Sequence, residues 1–224
     1  FLDKNNKVVL AGKIEKMSKS KRNVVDPEKI IEMYGADTAR WFMLSDSPPD
    51  RDLEWTDAGI GGSYKFINKI WKLLNEVISI EDSQFNNVKD SFLNQHLNIA
   101  IINITKNIEE FHFNKSVANI YELTNTAQKI IDKKSASKNK LLDFFKTLAL
   151  LLHPFIPHIS EEMWKKLDCS DFAINQVWPK PNSKIEVKES KIAIQINGKT
   201  RAVLEFKKGA IKEEVEKAAI NDNK

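Results

Sequence analysis

The sequence predicts a mainly α-helical protein: an antiparallel helical bundle preceded by a short α/β tail and followed by a partial small α/β domain. Three observations carry this. Apolar residues recur every three or four positions through four long segments between 56 and 152, the period of one helix face. A polar, proline-containing stretch, Trp178-Pro179-Lys180-Pro181-Asn182-Ser183, closes that region. Beyond it the period changes to two, around an Asn197-Gly198 pair that favours a tight hairpin turn.

Composition sets the outer limits. Of 224 residues, 42% are hydrophobic and 29% charged, the balance of an ordinary globular protein, which excludes a disordered or fibrous chain. Lys and Arg number 35 against 31 Asp and Glu, and the resulting +4 is too small to mark a nucleic-acid-coating protein. A single cysteine, Cys169, excludes an internal disulfide framework and a thiolate zinc cluster, and fits a reducing, cytoplasmic setting. The most apolar run, Leu148 to Leu152, ends at His153-Pro154, far short of the about 20 residues of a membrane span, so no membrane partner is expected. The chain opens at Phe1 with no basic-then-apolar leader, and its last amphipathic segment, 211–220, stops at Asn221-Asp222-Asn223-Lys224; a fragment of a larger protein is expected.

The elements follow in order. Residues 1–14 alternate weakly, with Val8, Val9 and Leu10 after the turn-like Asp3-Lys4-Asn5-Asn6, so a short strand pair is expected. Asp26-Pro27 is a capping residue followed by proline at the first helical position, and it starts a helix that runs to Tyr34 and ends at Gly35 as a left-handed terminal residue. A second helix runs from Ala36 to about Ser45, until Ser47-Pro48-Pro49-Asp50 breaks the chain. From the N-cap Thr56, a stripe of Ile60, Tyr64, Ile67, Trp71, Leu74 and Ile78 defines the first long helix. Leu93, Leu97, Ala100, Ile104, Ile108 and Phe111 define the next. Val117, Ile120, Tyr121, Thr124 and Ala127 define the third, and Leu141 to Leu152 the fourth. The Lys/Ser/Asn-rich stretch Asp132 to Lys140 reads as a solvated link. His153-Pro154-Phe155-Ile156-Pro157-His158 bends the last helix, and Ser160-Glu161-Glu162-Met163-Trp164 begins a short further one. At the end, Ile192, Ile194 and Ile196 alternate with Ala193 and Gln195 before the Asn197-Gly198 turn, Ala202, Leu204 and Phe206 alternate after it, and a helix follows this hairpin.

The chemistry concentrates near the start. Lys13, Lys16, Lys19, Lys21 and Arg22 place five cations within ten residues, opposed only by Glu15, with the small hydroxyls Ser18 and Ser20 between them. Flexible ammonium groups follow charge onto a leaving pyrophosphate, while hydroxyls and backbone N–H groups bond the remaining oxygens, so such a loop suits a polyphosphate and closes over it during reaction. The same residues also suit a plain solvated basic loop.

Lys16-Met17-Ser18-Lys19-Ser20, followed by Lys21, Asn23 and Asp26-Pro27, resembles the second signature of the class I aminoacyl-tRNA synthetases. The resemblance implies that Lys16, Met17, Ser18, Lys19 and Ser20 bind ATP, with Mg2+ as its companion ion. It implies catalytic roles for Lys19, as the main phosphate ligand in aminoacyl-adenylate formation, and for Lys16, as its helper. Arg22 stands where the family often has glycine or another small or polar residue. Tyr34-Gly35-Ala36-Asp37-Thr38-Ala39-Arg40-Trp41-Phe42-Met43-Leu44 is similar to the leucine, isoleucine and valine branches alike. Ser47-Pro48-Pro49-Asp50-Arg51-Asp52-Leu53-Glu54-Trp55, with Gly59, Gly62, Phe66 and Trp71, resembles the bacterial leucyl branch. So does Ile194-Gln195-Ile196-Asn197-Gly198-Lys199-Thr200-Arg201, which is similar to the opening hairpin of its small C-terminal tRNA-binding domain.

The implied division is a catalytic-domain tail over 1–46, an anticodon-binding-type bundle over 47–178 and the start of the C-terminal domain over 179–224. The implied partners are leucine, ATP and the leucine tRNA, in a monomer, with the fragment inactive by itself. The competing readings are an isoleucyl or valyl fragment, distinguished by Leu53-Glu54-Trp55 and the terminal hairpin, and a non-catalytic RNA-binding helical module.

Weaker signals have bland alternatives. His153 and His158 lie near Glu161 and Glu162, but the spacing fits no common zinc pattern and the prolines prevent one regular helix, so no metal site is expected. Trp71, Trp164 and Trp178 suit either base stacking or core packing, and Trp71 lies on an apolar stripe. Lys199 and Arg201 flank the hairpin turn and suit either tRNA phosphates or protection of a strand edge. Lys65, Lys69 and Lys72 line a polar helix face, where solvation is the simpler reading.

Overall fold

A computed structural model describes residues 7–8, 14–81, 90–182, 189–196, 199–207 and 212–221. The expected strand pair near the start, Lys13, the Asn197-Gly198 turn, the Lys199 side chain and Ile211 lie outside what is described. The chain divides into two compact units, residues 1–180 and 181–224.

In the first unit, α1 (Pro27–Tyr34) and α2 (Ala36–Ser45) precede four longer helices, α3 (Asp57–Ser79), α4 (Asp90–Glu109), α5 (Phe113–Asp132) and α6 (Lys138–Leu152), and α7 (Pro157–Lys166) follows. The caps are those the sequence expects. Asp26 accepts the N–H of Glu28 ahead of Pro27, and Thr56 accepts that of Gly59. Gly35 has the positive φ expected of it, 84°, but its ψ of 155° is extended, so the chain passes straight from α1 into α2 through a conformation that only glycine adopts without strain.

Two apolar clusters hold this unit. The smaller joins Ile30 of α1, Phe42 of α2 and Ile60 of α3, with Val25, Leu53 and Trp55 packed against it. The larger fills the bundle, with Phe144, Phe145, Phe155, Ile70, Leu74 and Ile120 fully buried. Trp41 of α2 belongs to this larger core: it has no exposed surface, stacks on Phe66 at 5.2 Å, and donates its indole N–H to the Tyr121 hydroxyl at 3.1 Å. At roughly 1.5–3 kcal/mol for each large side chain removed from water, this core supplies most of the drive to fold.

Some expectations shift. Tyr64, placed on the α3 stripe, is 43% exposed, while Ser63, Phe66, Ile70, Leu73 and Val77 are buried, because α3 is covered on more than one side. Phe111 is 67% exposed and sits in the α4–α5 turn at φ 58° instead of closing the α4 stripe. The link after α5 is shorter and less solvated than its composition suggests: Ala136 is fully buried, and Lys138 already lies in α6, with its Nζ donating to the Ile80 carbonyl at 2.7 Å. Helix α7 begins at Pro157, before Ser160, because proline suits the first helical position.

The corner between α6 and α7 is tied to α2. Asp37 Oδ1 accepts the N–H of His158 at 3.3 Å and its ring Nδ1 at 3.0 Å, while Oδ2 accepts the N–H of Ile159 at 2.7 Å, so a side chain of α2 caps α7. Arg40 donates from Nε to the Phe155 carbonyl and from Nη2 to that of Pro154, both at 2.9 Å. His153 goes elsewhere: its Nε2 pairs with Glu161 Oε1 at 3.0 Å. Glu161 also accepts the N–H groups of Ala173 and Ile174 at the start of a one-turn 3-10 helix, Ala173–Asn175.

The second unit is an antiparallel pair, β1 (Glu189–Ile196) and β2 (Lys199–Lys207), with α8 (Lys212–Asn221) against β2. In the register Ile192 is paired with Leu204 and Ile194 with Ala202. Between the pairs Ile194–Ala202 and Gln195–Thr200 the register slips, which leaves Arg201 as the extra residue of a bulge.

Candidate functional site

The Lys/Ser loop is a small self-bonded turn. Residues 19–22 form the turn, closed by the Arg22 N–H donating to the Lys19 carbonyl at 3.2 Å. Ser18 organises it: its N–H donates to Asn23 Oδ1 at 2.8 Å, its Oγ accepts the N–H of Lys21 at 3.3 Å, and the same Oγ shares a hydrogen bond with Ser20 Oγ at 3.2 Å. Asn23 completes the ring by donating from Nδ2 to the Lys16 carbonyl at 3.4 Å. The bracing role of Asn23 was not assigned from the sequence, although an amide side chain five residues after Ser18 is a type that bonds to nearby backbone.

The loop sorts its cations. Lys21 Nζ meets Glu15 Oε2 at 2.8 Å, an exposed pair of little energetic weight that nonetheless offsets one positive charge. Lys16 and Lys19 are exposed and have no carboxylate partner among the described residues. Met17 is 41% exposed and Ser20 is exposed, whereas Ser18 is half-buried and committed to the turn. The N–H groups of Lys19 and Ser20 have no acceptor among the described residues. Ammonium groups, backbone N–H donors and hydroxyls are the group types that bond anions.

Arg22 has φ 52°, in the left-handed region. Glycine enters that region freely, whereas a residue with a Cβ costs roughly 1–2 kcal/mol.

The remaining candidates separate. Arg201 is exposed at the bulge of the second unit, where strict alternation of faces is interrupted. Trp71 lies half-buried at the edge of the bundle core with Lys166 Nζ 5.4 Å from its ring centre. Trp164 donates to the Ser170 carbonyl and Trp178 to Thr105 Oγ1, so both indoles are engaged within the first unit. Lys69 donates to Asn125 at 2.8 Å, while Lys65 and Lys72 are exposed. His153 and His158 point to different carboxylates, and no group of three His, Cys, Asp or Glu among the described residues could hold a metal ion. No helix among the described residues is long and apolar enough to cross a membrane.

Comparison with known proteins relates both the bundle and the Lys/Ser loop to tRNA ligases. The chain belongs to the family of the anticodon-binding domain of tRNA ligase, whose model matches residues 90–216, and residues 5–56 match the class I tRNA synthetases of the I, L, M and V group. Its relatives are leucine–tRNA ligases. It is 42% identical to that of Rhizorhabdus wittichii over 95% of the chain and 24% of the relative. It is 39% identical to that of Rickettsia bellii over 99% of the chain and 26% of the relative. Among solved structures, it resembles the ternary complex of an Agrobacterium radiobacter LeuRS with tRNA and LeuAMS, with TM-score 0.69 and 28% identity, covering 92% of this chain and 28% of that one. The chain thus spans about a quarter of the length of these relatives.

Proposed function

We propose that this chain is the part of a leucine–tRNA ligase that supplies the ATP-phosphate loop and the tRNA-binding helical bundle. The whole protein joins leucine to ATP with release of pyrophosphate, then passes the leucyl group to the terminal adenosine of its tRNA. Residues 1–46 are the tail of the catalytic domain, 47–178 the bundle and 179–224 the start of a C-terminal tRNA-binding domain.

The observation that carries this reading is the sorting of charges in the loop: Glu15 occupies Lys21, which leaves Lys16 and Lys19 available to an anion. In the proposed reaction the Lys19 ammonium holds the β- and γ-phosphate oxygens as negative charge builds on the leaving pyrophosphate, and Lys16 assists. Ser18 shapes the turn, while Ser20 and the N–H groups of Lys19 and Ser20 face the remaining oxygens. Met17 is the apolar member of the ATP-contacting set. The donor set fits a triphosphate. Among the described residues of the loop, 14–23, the one carboxylate is Glu15, which is paired with Lys21. The relatives' name and the tRNA in the matched complex support leucine and tRNA as partners.

The test is ATP–pyrophosphate exchange by the complete protein with leucine, isoleucine or valine. Leucine-dependent exchange, absent from the isolated chain, is expected. Exchange with isoleucine or valine instead would move the protein to a sister enzyme. Salt-sensitive RNA binding with no exchange by the complete protein would identify a non-catalytic RNA module.

A further inference from the structure

We infer that Asp37 and Arg40 are positioning residues that set the angle between the phosphate loop and the bundle, so that they serve transfer of the aminoacyl group to tRNA more than its activation. This rests on the function proposed above.

The loop is joined to α1 and α2 through Val25, which packs against the cluster of Ile30, Phe42 and Ile60. Helix α2 in turn meets the bundle in two different ways. Burial of Trp41 supplies apolar contact, which is strong but non-directional and leaves α2 free to roll against its neighbours. The hydrogen bonds from Asp37 and Arg40 to the α6–α7 corner are directional, and they converge on that corner from one face of α2, one turn apart. Asp37 is only 9% exposed, so its carboxylate has exchanged water for the two N–H groups and the ring of α7. Arg40 offers a planar fork to two successive carbonyls, a match that lysine lacks. Just before this clamp lies Gly35, the joint between α1 and α2, whose backbone conformation allows a sharp change of direction.

Adenylate formation uses the loop, ATP and leucine, with no call on the bundle. Transfer needs a tRNA held by the bundle to bring its terminus to the adenylate. An error in the angle between them penalises only the second step, and a misplacement of about 1 Å at the reacting atoms costs on the order of a hundredfold.

The experiment compares the two steps in the complete protein carrying Arg40→Lys or Asp37→Ala, with Asp37→Asn as the conservative variant that keeps an acceptor for Ile159. The expected result is leucine-dependent exchange within about twofold of the parent, charging of tRNA slowed about tenfold or more, unchanged tRNA affinity, and substantial recovery in Asp37→Asn. Equal losses in exchange and charging for Arg40→Lys would overturn the inference and leave the clamp a stabilising contact only. Unchanged charging in both variants would overturn it as well. Lys19→Ala, assayed beside them, separates the two proposals: its loss of exchange upholds the phosphate loop even where the clamp variants fail, and its unchanged exchange defeats the loop assignment and this inference together.

Discussion

Asn23 Oδ1 accepts the backbone N–H of Ser18 at 2.8 Å, and this bond spans the base of the loop that carries Lys16 and Lys19. The loop keeps its shape by internal bonds near its solvent surface, each worth roughly 0.5–1.5 kcal/mol against competing water.

Asn23→Ala removes both ends of this brace. In the complete protein, the KM for ATP in pyrophosphate exchange should rise and the turnover should fall, with the tRNA dissociation constant unaffected. Asn23→Asp keeps the acceptor for Ser18 and loses the donor to Lys16, so its defect should be smaller. Equal defects in the two variants would assign the effect to the amide donor alone.

Lys19→Ala should reduce the turnover of leucine activation by about 10²–10³-fold, the usual cost of losing one group aimed at developing charge, with less effect on ground-state ATP binding. Lys16→Ala should cost less. Single-turnover measurement of adenylate formation reads this directly, and an unchanged rate in Lys19→Ala would remove that residue from the mechanism.

Gly59→Ala probes the contact between α2 and α3. A Cβ there would lie 2.5 Å from the Phe42 ring and 2.8 Å from Thr56 Oγ1, the oxygen that caps α3. Overpacking of this kind costs about 1–3 kcal/mol. Urea denaturation of the described chain should show the lower midpoint with an unchanged slope.

Tyr121 predicts an alkaline loss of stability. Burial pushes its hydroxyl above the ordinary value of 10.0, with the Trp41 hydrogen bond acting more weakly in the opposite direction. The folded state thus holds the proton more tightly than the unfolded state. Its contribution is complete below about pH 10 and is lost as pH rises through the folded value. Tyr121→Phe should flatten that decline, measured as unfolding free energy against pH, while costing about 1–3 kcal/mol at neutral pH because the Trp41 N–H loses its buried acceptor.

Arg201 offers a test of the second unit. If its guanidinium meets a phosphate, Arg201→Ala should lower the salt slope of tRNA affinity by about one. An unchanged slope would make it a solvated guard of the strand edge.

Much of this protein was legible because its signals are local. Asp26-Pro27 and Thr56 start helices where they stand, since a cap acts within one turn. The class I synthetase resemblance of the Lys16 to Ser20 stretch was legible as well, and residues 5–56 match that family's model. The inward face of α3 was read less well. Period alone placed Tyr64 inside and passed over Phe66, Ile70 and Leu73, because a helix packed on several neighbours buries more than one stripe. Phe111 likewise followed the α4 period in sequence while the chain had already turned at φ 58°.

What the sequence determined by itself was therefore the helical class and the hairpin pairing after the bundle. Each depends on neighbours within a few residues. The tertiary structure decided that Lys21 pairs with Glu15, that Asn23 braces the loop, and that Asp37 and Arg40 close on a corner more than a hundred residues away. Those outcomes depend on distances between residues far apart in the chain or on competition among close alternatives, and no periodic pattern encodes either.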